Sequence, residues 1–239
     1  MSGSYVCYLC NSSRGRGHRA GSLDGVSAGS ALAGPSIIPA PLRRPAGGVA
    51  AVAVLVFAVL AERYGGEASA RWLDRRLQSL VAASGPAHSI SEPVILFGSW
   101  ISVVVLAVLL SGLALALGHR RLAVLAIVGP GLTGLTTELL KPLIGRTFNG
   151  DFAFPSGHAG GATALGIVAA LLLIGVLRPE LRMSAALLAA GAVLSGGMMA
   201  FALVASRDHY PTDTVGGFCI AVGVVLASAL LIEWWAERN

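Results

Sequence analysis

The sequence predicts an all-α, polytopic membrane protein, a bundle of six transmembrane helices. Of its 239 residues, 55% are hydrophobic and only 12% charged, more apolar surface than one water-soluble core can enclose. Uncharged runs recur at the roughly 17–25 residues that a helix needs to cross a bilayer. Arginines punctuate the ends of those runs, the pattern of cytoplasmic loops.

Residues 1–45 are rich in Gly, Ser, Ala, Pro and Arg without sustained periodicity, which predicts a disordered basic tail. The tail lacks the charge, apolar stretch and cleavage pattern of a signal peptide, so the first span is expected to stay in the protein. Cys7 and Cys10 form a C-x-x-C with only His18 nearby, short of the four ligands of a structural zinc site. The remaining chain, 46–239, is expected to be one transmembrane domain. Its first span covers Ala46–Ala61 and can extend to Tyr64. The stretch "EASARWLDRRLQSLVAA" repeats Trp72, Leu73, Leu77 and Leu80 at helical spacing, which suits a helix lying in the membrane interface. Five more spans follow at Pro93–Gly118, Leu122–Ile144, Ala159–Leu177, Met183–Ala205 and Thr214–Ile232. Cys219, inside the last, reads as a small packing residue.

Arg43 and Arg44 precede the first span, Arg120 and Arg121 join the second to the third, and Arg178 and Arg182 join the fourth to the fifth. Six spans then put these clusters and both termini on the cytoplasmic side, although Arg63, Arg71, Arg75 and Arg76 fall in the first outer loop. Three polar segments meet on the opposite side: "ELLKPLIGRTFNGDF", "FPSGH" and "SRDHYPTD". A single site facing the extracytoplasmic side of the cell membrane is expected there.

Lys141 is the one lysine beside sixteen arginines. An ammonium within an apolar run needs a partner or a ligand. Glu138, three residues earlier, offers a helical ion pair, and a bound phosphate is the other expectation. Pro155 and Ser156 open the fourth span as a helix start and N-cap, and Gly157 leaves amides uncovered where an anion binds well. His158 stands at that rim, able to pass a proton. In "DHYPTDTVGG", Pro211 suits the first helical position, leaving His209 just outside and Asp213 in the first turn. Asp213 can then fix the tautomer of His209 and leave its other nitrogen free as a nucleophile. With Lys141, Arg146 and Arg207 as cations, phosphoryl transfer is the chemistry these residues suit, with no metal or cofactor required.

At these residues the sequence resembles the type 2 phosphatidic acid phosphatase superfamily of integral membrane lipid phosphatases, over about residues 93–232. Pro155-Ser156-Gly157-His158 matches in full, and His209 with Asp213 matches the end of the third motif. The resemblance implies that His209 attacks phosphorus to form a phosphohistidine, Asp213 orients it, and His158 protonates the leaving alkoxide. Ser156, Gly157 and Lys141 would hold phosphate oxygens. The family's Arg-Pro would fall at Phe148 and Asn149, and its Ser-Arg at Ala202 and Leu203. Arg146 and Arg207 are the displaced substitutes, Arg207 on the condition that the fifth span continues as a helix for one more turn.

The function expected is therefore a metal-independent phosphatase acting on a lipid phosphate, whether a polyprenyl phosphate or pyrophosphate, phosphatidic acid or phosphatidylglycerol phosphate. No nucleic-acid partner is expected, and the oligomeric state stays open. The alternative is a non-catalytic lipid-phosphate binding or transport protein on the same scaffold. Its strongest support is Gly129-Pro130-Gly131, which could break the third span.

Overall fold

The computed structural model describes residues 34–82 and 88–238; the readings of Cys7, Cys10, His18 and the first 33 residues lie outside them. The regular structure of the described residues is helical apart from one two-stranded hairpin. Its helices are α1 (Ala40–Tyr64), α2 (Trp72–Ala82), α3 (His88–Phe97), α4 (Trp100–Ala116), α5 (Arg120–Ile144), α6 (Gly157–Leu177), α7 (Leu181–Ala205) and α8 (Pro211–Arg238). Strands β1 (Thr147–Phe148) and β2 (Asp151–Phe152) pair antiparallel between α5 and α6. Among the described residues five helices are long and apolar enough to cross a membrane, and six spans result if α3 and α4, bent by 58° at their junction, count as one.

The first span starts at Ala40, six residues before the expected Ala46. A proline in its first turn suits that start, and its Arg43 is tied to the far end of the chain. Arg43 donates to Glu233 at 2.7 Å and pairs with Glu237, while Arg121 reaches Glu233 at 3.2 Å. The Ile37 N–H also donates to Glu233, so one buried carboxylate joins the starts of α1 and α5 to the end of α8.

Gly129-Pro130-Gly131 does not break α5, which runs unbroken from Arg120 to Ile144. Proline is tolerated in membrane helices when neighbouring helices and hydroxyls support the backbone. Here Gly129 packs against Val225 and the Thr133 hydroxyl donates to the Gly129 carbonyl at 2.8 Å.

Helices α6 and α8 form the enclosed centre, and α6 packs against α4, α5, α7 and α8. Small residues allow this closeness. A Cβ added at Gly217 of α8 would lie 2.1 Å from the Ser156 carbonyl oxygen, so the two helix starts touch backbone to backbone.

Helix α2 forms where the interfacial helix was expected. Its Trp72, Leu73 and Leu80 face outward, whereas Asp74 is wholly buried.

Candidate active site

At the end of the bundle where α5 and α7 finish and α6 and α8 begin, local chemistry sets each side chain. Ser156 caps α6, accepting from the Ala159 N–H at 3.4 Å, and its own N–H donates to the Asp213 carbonyl at 3.0 Å. The start of α6 is thereby fixed to the first turn of α8. His158, in the first turn of α6, lies near enough to His209 and Lys141 for their charges to act on it.

Lys141 on the last turn of α5 pairs with Glu138 at 2.6 Å, as the i, i+3 spacing offers. The ammonium nonetheless remains beside α6: the Cβ position of Gly157 is 4.0 Å from Lys141 Nζ. Lys141, Gly157 and His158 together line the mouth of a cleft of about 500 Å³ between α4, α5 and α6. The rest of its wall is mostly apolar, with Val104 and Val108 on one side and Ile127, Gly131 and Gly134 on the other. From Lys141 to Ile127 the α5 wall runs about 21 Å at 1.5 Å per residue, around two-thirds of a ~30 Å hydrocarbon core. The bend at Gly98–Ser99 lines the rim, where Gly98 packs closely against the end of the Met199 side chain and the His158 carbonyl.

His209 precedes α8 with its ring largely buried, and its Nδ1 stands 3.6 Å from Asp213 Oδ2. That distance is an ion-pair approach, slightly longer than a hydrogen bond, as catalytic contacts often are before a ligand arrives. Asp213 is wholly buried and otherwise engaged: Oδ2 accepts from the Tyr210 N–H at 3.0 Å, and Oδ1 from Arg146 at 2.6 Å. Burial holds the Tyr210 phenol above its ordinary pKa, so it stays neutral beside this carboxylate.

Two arginines are placed differently from the sequence-based expectation. Arg146, expected on the phosphate, is wholly buried and bound to two carboxylates, Asp213 and Asp74, each at 2.6 Å. The rings of Tyr64 and Tyr210 each lie 4.6 Å from its guanidinium. Its Nε has no hydrogen-bond partner, but the whole side chain is buried and lies outside the lining of the cleft, so it presents no donor to a ligand there. Arg207 stays exposed but does not continue α7. The helix ends in a Schellman turn, with Asp208 N–H on the Leu203 carbonyl, Arg207 N–H on the Val204 carbonyl, and Arg207 itself left-handed at φ 58°. Its side chain lines a separate depression with Gln78, Ser79 and Phe148. The extra helical turn that would have aimed it at the phosphate is absent.

Asp74 was not anticipated. It sits in the first turn of α2, where an acid ordinarily complements a helix start, yet it contacts residues far along the chain. Its position on the inward side of the α2 repeat, beside outward Trp72 and Leu73, was the one available signal. Among the described residues, no group of three or more His, Cys, Asp or Glu side chains is arranged to hold a metal ion.

The fold and site define a multi-span membrane protein with two histidines, a lysine and a helix N-terminus gathered at one rim. The sequence model of the PAP2 superfamily matches residues 122–237, which contain all of these groups. No curated protein matches in sequence. A crystal structure of a transmembrane PAP2-type phosphatidylglycerolphosphate phosphatase from Bacillus subtilis is similar in fold, with a TM-score of 0.62 and 20% identity, covering 79% of this chain and 96% of that one.

Proposed function

We propose that the protein is a membrane lipid phosphatase that removes phosphate from an amphiphile through a phosphohistidine intermediate. The observation that carries this reading is the cleft, whose apolar length ends on Lys141, His158 and the α6 N-terminus with His209 close by. A hydrocarbon tail suits the apolar wall, and a phosphate suits the mouth. Lys141 and the amides following Ser156 hold its oxygens, since cations and uncovered helix amides bind anions without a metal.

His209 then attacks phosphorus through Nε2 while Nδ1 faces Asp213. The bond from phosphorus to the lipid oxygen breaks, and that oxygen takes a proton from His158. In the second step water attacks phosphorus, giving its proton to His158 as the phosphorus–nitrogen bond breaks, which frees His209 and releases inorganic phosphate. Polyprenyl phosphates and pyrophosphates, phosphatidic acid and phosphatidylglycerol phosphate all have the required shape. The site faces the extracytoplasmic side of the cell membrane, given the arginines at the other end of the bundle.

The test is phosphate release from those lipids by purified protein in detergent, comparing wild type with His209→Ala and Lys141→Met. His209→Ala should abolish release, and Lys141→Met should raise KM roughly 10- to 100-fold, the worth of a charge-assisted hydrogen bond. Release undiminished in His209→Ala would overturn the mechanism. Binding without release by wild type would favour the non-catalytic alternative.

A further inference from the structure

We propose that Asp74 is a positioning residue for the His209–Asp213 pair: it holds Arg146 by one arm so that Arg146 anchors Asp213 without capturing the oxygen that faces His209. The proposal rests on the phosphohistidine reading for its consequence in turnover, though not for its structural content.

The hydrogen bonds divide Arg146 between two acids. One terminal nitrogen donates to Asp74 Oδ2 at 2.6 Å; the other donates to Asp213 Oδ1 at 2.6 Å and to the Thr212 hydroxyl at 2.5 Å. Asp74 Oδ1 accepts from the Thr212 hydroxyl at 2.7 Å and from the Thr212 N–H at 3.1 Å. The hydroxyl proton therefore goes to Asp74, and the hydroxyl oxygen receives Arg146. Asp74 Oδ2 also receives the Arg71 N–H at 3.4 Å, so both of its oxygens are occupied.

Asp213 differs. Its Oδ2 accepts the Tyr210 N–H and is the oxygen 3.6 Å from His209 Nδ1. A guanidinium and a carboxylate left alone prefer a two-pronged pairing through both oxygens. Asp74 prevents that by occupying the second prong of Arg146. Two carboxylates against one guanidinium also leave the buried group with one net negative charge, available to an imidazole N–H. Asp74 thus reaches the site from α2, a helix outside the residues that carry the family resemblance.

The test uses full-length protein labelled with nitrogen-15 in its histidines and compares wild type, Asp74→Asn, Thr212→Val and, on the outer face of α2, Arg76→Gln. Side-chain NMR should show His209 protonated on Nδ1 in wild type and Arg76→Gln, and a mixture of tautomers in Asp74→Asn. In the phosphatase assay Asp74→Asn should lower kcat about 100-fold, the cost of misplacing a catalytic group, with KM within twofold. Thr212→Val keeps every charge and should show the same direction at about tenfold, which keeps the proposal testable if Asp74→Asn fails to fold. An unchanged His209 tautomer in the folded variants, or equal changes in kcat and KM, would overturn the positioning role. Absence of phosphate release by wild type would instead overturn the phosphatase reading, while the tautomer comparison still decides the role of Asp74.

Discussion

Substituting Gly217 by alanine tests how tightly the reaction depends on the seam between α6 and α8. The added Cβ would lie 2.1 Å from the Ser156 carbonyl oxygen and 3.0 Å from the Gly160 nitrogen. Real Cβ contacts do not fall below 3.0 Å, so the helices must part by about 0.9 Å. Backbone atoms on both sides leave no flexible side chain to give way. Overpacking of this kind costs about 1–3 kcal/mol in stability. The larger effect should be catalytic: Ser156, one residue before α6 begins, and Asp213, in the first turn of α8, share a backbone hydrogen bond at 3.0 Å. Parting the helices stretches that link and widens the gap between His158 and His209. A displacement near 1 Å costs about 100-fold in rate. The assay is kcat for lipid phosphate release beside thermal unfolding in the same detergent, with Gly197→Ala as comparator because open space surrounds that position. Activity within twofold of wild type in Gly217→Ala would refute the claim that this seam sets the catalytic distance.

Gly134 lines the cleft and faces open space, so Gly134→Leu should obstruct a tail. We expect kcat/KM to fall roughly 5- to 100-fold for a long-chain lipid phosphate, with little change for a short water-soluble phosphate ester; equal losses on both would remove the tail from the cleft. Glu233→Gln should act oppositely, because it removes the buried carboxylate charge that Arg43, Arg121 and the Ile37 N–H share. Breaking such a pair costs about 3–5 kcal/mol, or a Tm lower by roughly 6–20 °C, with kcat unchanged at temperatures where the variant is folded.

Much of the fold was legible because membrane helices declare themselves by length and apolarity alone. The spans ending at Ile144, Leu177 and Ala205 stop at those residues in the structure. The bend between α3 and α4 was not legible, since "FGSW" carries no charge and interrupts no apolar run. The lysine, the histidines and the N-cap could be read locally, each being rare in its surroundings or fixed by helix-start chemistry. The arginines could not. Arg146 and Arg207 are the same residue type in similar polar loops, yet one is sealed between two carboxylates and two tyrosine rings while the other turns away at a helix end. What separates them is the location of Asp74, more than seventy positions upstream of Arg146. Long-range pairing of that kind leaves no periodic trace.

The bundle holds an ionic cluster at each end, and their different charge balance indicates different work. At one end Glu233 gathers Arg43 and Arg121, and Arg43 also pairs with Glu237, so that cluster is balanced in charge. Arg146 gathers Asp74 and Asp213, an excess of negative charge at the end that carries the histidines. Buried charges are costly in a membrane protein and are commonly functional. On the phosphatase reading, that negative excess lies behind His209, while the Lys141–Glu138 pair and the α6 N-terminus lie on the cleft side of the same rim. The arrangement has the direction the reaction needs: the α6 amides, with Lys141 once it turns from Glu138, meet the phosphate, and the imidazole opposite is backed by an acid that favours charge on it as the phosphorus–nitrogen bond forms. An arginine clamp on the phosphate would strengthen the first half of that arrangement. Here Arg146 supports the second half instead, which explains how an arginine near the lysine motif can serve the site without touching the ligand.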